Sequence, residues 1–452
     1  MFLSSNPRLA ARAAALVIAL ASLTVAADAE AQAWLADRSR TEGPGIRLGD
    51  FELHPGIGVE VGWDSNIYYT SDDPAPGLPP RRDSAILRVT PHLLFSTLGA
   101  QRRTEGEGQP AQPDVIFRGG ISASYYEFFA DERRRNVSLD ANLSLTLMAN
   151  GPLTIAIYDN FSRGIRPFTE NTFETSTARD RNLAGVNFTL STPGNVLQVR
   201  AGYRFGLDYF EGRSFQYANN FQHRVELQET FRFFPQTGIV HDTSVEYRDY
   251  YEPLRGPTAV FDNTVITTRL GLNGAITPEI SLLVMAGYSA GFFDSRIAGY
   301  DQDFESVVAQ AQLTWRIDPN SRLQLGYNRS FQPSFVGNYF SQDRGYASFQ
   351  VTLLGSLLLG LEAGVAYVDF GQMVAPDGSP LGSSTERTDV RVDASLFAEY
   401  RFTDWLGING TVSYVGDFTD FRYNVDTGMG AAVLDPAGYN KVELWLGVRV
   451  FY

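Results

Sequence analysis

The run Val137-Ser138-Leu139-Asp140-Ala141-Asn142-Leu143-Ser144-Leu145-Thr146-Leu147 decides the fold. Its odd positions are apolar and its even positions polar, a period of two that gives a strand one greasy face and one wet face. A helix would spread the same residues around its whole circumference. The pattern recurs in Ser306–Ile317, interrupted by Val308, and in Val390–Arg401. Working outward from these runs, the alternation predicts strands near 51–63, 84–98, 115–127, 136–148, 153–163, 181–191, 196–209, 222–233, 238–250, 264–276, 280–291, 306–317, 321–330, 343–354, 357–370, 388–401, 405–415 and 441–452.

The connections alternate in length. Short turns such as Ala149-Asn150-Gly151-Pro152, Thr192-Pro193-Gly194-Asn195, Thr277-Pro278-Glu279 and Asp318-Pro319-Asn320 alternate with long polar loops near 71–83, 164–180, 210–221, 251–263, 292–305, 371–387 and 416–440. Short turns on one rim and long loops on the other describe a transmembrane antiparallel β-barrel, here of about 18 strands. The stretch 99–114 breaks the rule by being long on the short-turn rim, where it is read as a periplasmic docking segment or a slip in the strand count. At the C-terminus Leu444, Leu446, Val448, Val450 and Tyr452 place an apolar residue at every second position and end on an aromatic, the form of a barrel insertion signal.

Composition agrees. The 452 residues carry a net charge of −14, with 13% aromatics, 42 Gly and no Cys; mean hydropathy is −0.16 and the pI about 4.8. The acidic balance and scattered basic residues argue against nucleic-acid binding, and the missing cysteine removes disulfides, thiolate metal sites and cysteine nucleophiles. Arg8 and Arg12, the apolar stretch 13–27 and the small residues Ala31 and Ala33 read as a cleaved export signal over 1–33. Residues 34–50 are then a short periplasmic segment and 51–452 the barrel. The roughly 17 residues between Ala33 and the first strand are too few for a folded plug.

Hydrocarbon offers no water to strand-edge amides, so only a closed sheet with an apolar exterior can cross it. With the apolar face turned to lipid, Arg88, Arg200, Arg204, Asp208, Arg224, Glu226, Arg232, Glu246, Arg248, Arg316, Arg391, Asp393, Glu399 and Arg401 look into the lumen. A lumen lined by both signs is hydrated, and 16–18 strands leave room for an aqueous channel unless the loops close it. Arg200, Arg204, Arg224, Arg232 and Arg248 fall on three successive strands and share one wall. They either set a field that favours anionic solutes or pair with Asp208, Glu226 and Glu246. Tyr125, Trp315, Tyr400, Tyr414 and Tyr452 fit an outer aromatic girdle, whereas Tyr126, Phe397, Trp445 and Phe451 point inward, to pack among loops or to stack on sugars. His54, His92, His223 and His241 lie in separate strands with no nucleophile motif, which speaks against an enzyme, and nothing calls for a cofactor.

The segment Gly56-Ile57-Gly58-Val59-Glu60-Val61-Gly62-Trp63-Asp64-Ser65-Asn66-Ile67-Tyr68, followed by Asp83-Ser84-Ala85-Ile86-Leu87-Arg88-Val89-Thr90-Pro91, resembles the outer-membrane β-barrel porins encoded with exopolysaccharide synthesis and export genes. The resemblance covers about residues 51–95 and transfers no catalytic residue. It implies a pore that passes exopolysaccharide to the cell surface, partnered by a periplasmic export component, outer-membrane lipid and the barrel assembly machinery. A diffusion porin for small solutes and a closed adhesion or scaffold barrel are the alternatives. Read on their own, Asp64, Ser65 and Asn66 form an Asx-type turn at a strand end, with a calcium site at their carbonyl and carboxylate oxygens as the alternative.

Overall fold

The computed structural model describes residues 43, 45–97, 113–165, 178–251, 259–294, 303–425 and 432–452. The expected export signal and nearly all of the 99–114 connection lie outside these residues.

Eighteen long strands form one closed antiparallel sheet. They are β2 (Phe51–Asp64), β3 (Ser84–Thr97), β4 (Val115–Phe128), β5 (Asn136–Leu147), β6 (Leu153–Gly164), β7 (Arg179–Ser191), β8 (Leu197–Phe210), β9 (Asn220–Phe234) and β10 (Thr237–Tyr250). The ring continues through β11 (Asn263–Ala275), β12 (Ile280–Phe293), β13 (Phe304–Asp318), β14 (Ser321–Pro333), β15 (Tyr339–Leu353), β16 (Leu357–Phe370), β17 (Thr388–Thr403), β18 (Leu406–Phe418) and β21 (Tyr439–Phe451). Each strand pairs with the next, and β21 pairs with β2 from Gly56↔Phe451 to Asp64↔Glu443, which closes the ring. A short β1 (Ile46–Leu48) doubles back on the start of β2, so part of the expected 34–50 segment is sheet, folded over through Gly49 at φ 61°. A hairpin of β19 (Arg422–Val425) and β20 (Val433–Pro436) stands within the last long loop.

The two faces separate by register. On β2, Val59 and Val61 are exposed outside, 44% and 58%, while Glu60 and Asp64 are buried inside. On β21, Leu444, Leu446, Val448 and Val450 face outward with Tyr452 following them, and Lys441, Glu443, Trp445 and Phe451 face inward. The short rim uses turn chemistry suited to twisted strands: Leu354 and Gly355 both take positive φ, 54° and 69°, between β15 and β16.

The Asp64-Ser65-Asn66 motif closes the seam. Asn66 N donates to Asp64 Oδ1 at 2.8 Å, the Asx turn itself, and the fully buried Asn66 amide donates to Thr70 O and Asn440 O at 2.8 and 3.0 Å. Ser65 exchanges two bonds with Val442 of β21. The turn therefore ties the end of the first long strand to the last one, positions almost the whole chain apart.

Candidate functional site: the charged lumen

The long-loop mouth corrects one expectation. Loops read as polar carry apolar residues that meet inside the barrel: Phe215 and Tyr217 after β8, Val260 after β10, Phe335 and Val336 after β14, Met373 after β16, and Phe421 and Tyr423 after β18. They pack with Phe210 of β8 and with Ala366, Val368 and Phe370 of β16, whose strands lie eight places apart around the ring. Polar bonds stitch the loops together, with Phe261 N to Asn338 Oδ1 at 2.8 Å, Ala259 N to Val374 O at 3.0 Å and Tyr217 OH to Phe335 O at 3.4 Å. The physical cause is that a hydrated barrel end offers these loops a common place to bury apolar surface.

Arg387 latches this core to the wall. Its side chain is fully buried and donates two bonds to Asp389, at 2.9 and 2.7 Å, and a third to Tyr423 OH, with its guanidinium 4.6 Å from the Phe370 ring centre. Burial alone favours the neutral form, but Tyr423, Asp389 and Asp417 hold the group charged, with its pKa above the ordinary arginine value.

Below the mouth, the seam wall of β17, β18, β21, β2 and β3 is densely ion-paired. Lys441 lies 2.6 Å from Asp64 and 2.8 Å from Glu443, Arg449 and Arg401 lie 3.0 and 3.1 Å from Glu399, and Arg391 lies 3.2 Å from Asp389 and 3.3 Å from Asp417. Arg88 pairs with Glu60, which also accepts from Asn409 at 2.7 Å. With Arg387, six cations meet six carboxylates. Two further carboxylates stand on the same strands: Asp393 of β17 pairs with Arg344 of β15 at 3.0 Å, and Glu52 of β2 lies 3.2 Å from His54. The inward aromatics are part of this packing: Tyr126, Phe397, Trp445 and Phe451 are all buried, and Arg88 covers the Trp445 face at 4.3 Å.

The wall of β8, β9 and β10 differs. Arg204 stands directly opposite Arg224, a like-charge pair that a ladder ordinarily avoids. Arg204, Arg224 and Arg248 all address Glu246, at 3.2, 3.5 and 3.1 Å, while Arg200 and Arg224 approach Glu226 no closer than 3.8 and 3.6 Å. Four arginines therefore share two carboxylates. The Nε atoms of Arg200, Arg224 and Arg248 are buried and make no hydrogen bond within the protein. Asp208, expected to help neutralise this wall, accepts instead from Arg179, a residue that the shorter strand starting at 181 left out. Arg232 also leaves the group: it faces inward at the short-turn end and donates to Asn195 O at 2.8 Å. Arg316 sits at the same rim, opposite Arg322.

On the outer face of β9–β11, His241 lies between Glu229 at 3.1 Å and the hydroxyls of Thr243 and Thr268 at 3.1 and 3.2 Å. The backbone here is paired in the β9–β10 and β10–β11 ladders. Among the described residues, no group of three or more potential metal ligands converges.

An exterior band of Ile, Val, Leu and aromatics closed around a charged interior can be stable only with hydrocarbon outside. The chain is an outer-membrane β-barrel. Its long-loop rim is accordingly extracellular and its short-turn rim periplasmic. Neither a protein-family model nor a curated protein sequence matches it. Among solved structures it is similar to the outer membrane protein OpdK of Pseudomonas aeruginosa, at 10% identity and a TM-score of 0.43, covering 88% of this chain and 99% of that one. It is similar to OccK11 (OpdR) of the same organism at 13% identity and 0.41, covering 92% and 99%. It is also similar to the siderophore receptor PirA of P. aeruginosa, at 11% identity and 0.40, covering 90% and 81%.

Proposed function

We propose that this barrel is a passive pore for small hydrophilic solutes. The observation that carries the reading is the lumen itself: an eighteen-strand ring lined by ionised side chains, with the loop core placed across its extracellular mouth. Rings of this size leave an aqueous path, and the charged lining favours hydrated cargo. The loop core speaks against the polymer reading implied by the resemblance, because an exopolysaccharide chain has to thread the mouth that Phe215, Tyr217, Phe335 and Met373 occupy. No catalytic step enters this function. The terminal Leu444, Leu446, Val448, Val450 and Tyr452 are proposed as the strand presented to the assembly machinery.

Single-channel recording in planar bilayers tests the reading. The wild type is expected to give small, discrete conductance steps, and Tyr217→Ala with Phe335→Ala to enlarge them by widening the mouth. A correctly inserted barrel that passes no ions in either form would overturn it. Loss of surface polysaccharide in a deletion strain, restored by complementation, would return the polymer reading.

A further inference from the structure

We infer that the inward face of β8–β10 is an oxyanion-binding site, built to receive the carboxylate or sulfate group of a small solute; the inference deepens the pore reading above by naming a substrate class. Three observations carry it. Within 4 Å, Arg200, Arg204, Arg224 and Arg248 reach only Glu226 and Glu246, and the wall's other two carboxylates, Asp208 and Asp242, pair with Arg179 and Arg269, so these four arginines carry two more charges than the carboxylates they contact. The neighbouring Arg179 and Arg181 against Asp208 do not reduce that excess.

The second observation is geometric. Arg204 and Arg224 are cross-strand partners, and Gly202 lies between Arg200 and Arg204 on the same inward face. A side chain at 202 would strike Asn187 Oδ1 at 2.3 Å and Glu226 Cγ at 3.0 Å, so the glycine lets the Asn187 and Glu226 side chains lie against β8 between the two arginines.

The third observation points to a ligand. Nε of Arg200, Nε of Arg224 and Nε of Arg248 are buried donors that make no hydrogen bond within the protein, the Arg224 Nε standing 3.6 Å from Glu226, and Arg248 as a whole is only 9% exposed. A guanidinium offers its donors as a planar fork that matches the two oxygens of a carboxylate or sulfate. An oxyanion seated among these arginines satisfies donors that are otherwise stranded and relieves the Arg204/Arg224 repulsion. A neutral sugar can offer hydroxyl acceptors but brings no charge to relieve the repulsion.

The test uses the full-length barrel in detergent, titrated calorimetrically with galacturonate, with galactose and with inorganic sulfate, alongside current block by the same probes in planar bilayers. Galacturonate is expected to bind and to slow current, sulfate to compete with it, and galactose to do neither. Arg224→Gln with Arg248→Gln is expected to weaken galacturonate binding at least roughly tenfold, the scale of one lost charge-assisted bond, while the heat-modifiable gel shift of the folded barrel persists. Arg232→Gln, at the periplasmic turn, is expected to leave binding unchanged. Equal binding of galactose and galacturonate, or galacturonate binding untouched by the double variant, would overturn the site. Binding without any conductance would retain the site and sink the pore.

Discussion

The seam wall and the β8–β10 wall are made of the same residue types and behave as opposites. Around β21 and β2, close contacts join six cations to six carboxylates, and those of Lys441, Arg387, Arg391, Arg401 and Arg449 to their nearest partners run from 2.6 to 3.2 Å, on side chains that are nearly buried except for Arg401. Around β9, four arginines reach two carboxylates at 3.1–3.8 Å and leave donors unsatisfied. A buried charge is tolerable when it is paired and bonded. The seam wall leaves acceptors over, the buried Asp417 Oδ1 and Asn409 Oδ1, whereas the β8–β10 wall leaves donors over, and only the second kind of surplus suits an anion.

The difference can be broken most directly at Lys441. Lys441→Met leaves Asp64 and Glu443 buried without their shared cation, a change expected to cost about 3–5 kcal/mol. The temperature at which the compact gel form converts to the unfolded form should fall sharply. Arg200→Gln is the matched control and should move that temperature little, since it removes excess charge. Equal losses in the two variants would erase the distinction between the walls.

A smaller effect is expected from the opposite perturbation. Glu226→Gln with Glu246→Gln deprives four arginines of both carboxylates, at a cost of about 1–3 kcal/mol for groups that remain partly hydrated. Added sulfate should restore the melting temperature of this variant more than it raises that of the wild type, because a ligand stabilises whichever folded state binds it more tightly. Absence of any sulfate-dependent recovery would mean that the cation excess does not attract anions.

The strands were legible because each carries its period locally. The expected and observed bounds agree to within about four residues, and the eighteen-strand count follows from them. The inward register followed from the same alternation, since lipid accepts one face only. Partner choice was not legible: the opposition of Arg204 and Arg224, and the capture of Asp208 by Arg179, depend on inter-strand register, which no single segment encodes. The loop core was hidden for another reason. Phe215, Tyr217, Phe335 and Met373 have no common periodicity, and what unites them is a tertiary site at the barrel mouth.

The smallest expected effect comes from an ion pair outside the wall, and it calibrates both sides of the comparison. Asp131, in the loop after β4, accepts from Arg133 Nε at 3.0 Å, from Arg133 N at 3.1 Å and from Tyr68 OH. The Arg133 guanidinium, followed by the Tyr68 hydroxyl, holds its carboxyl well below the ordinary carboxylate range. A depressed folded-state pKa contributes stability that is fully present above the unfolded value and is lost progressively as pH falls from that value through the folded one. The melting difference between wild type and Asp131→Asn should therefore stay constant from neutral pH down to about pH 4, the ordinary carboxylate value, and shrink only below it. A difference that had already vanished at about pH 5 would show that Arg133, whose side chain is 86% exposed, does not hold this carboxylate, and that tight pairing in this barrel requires the burial found at Lys441 and Arg387.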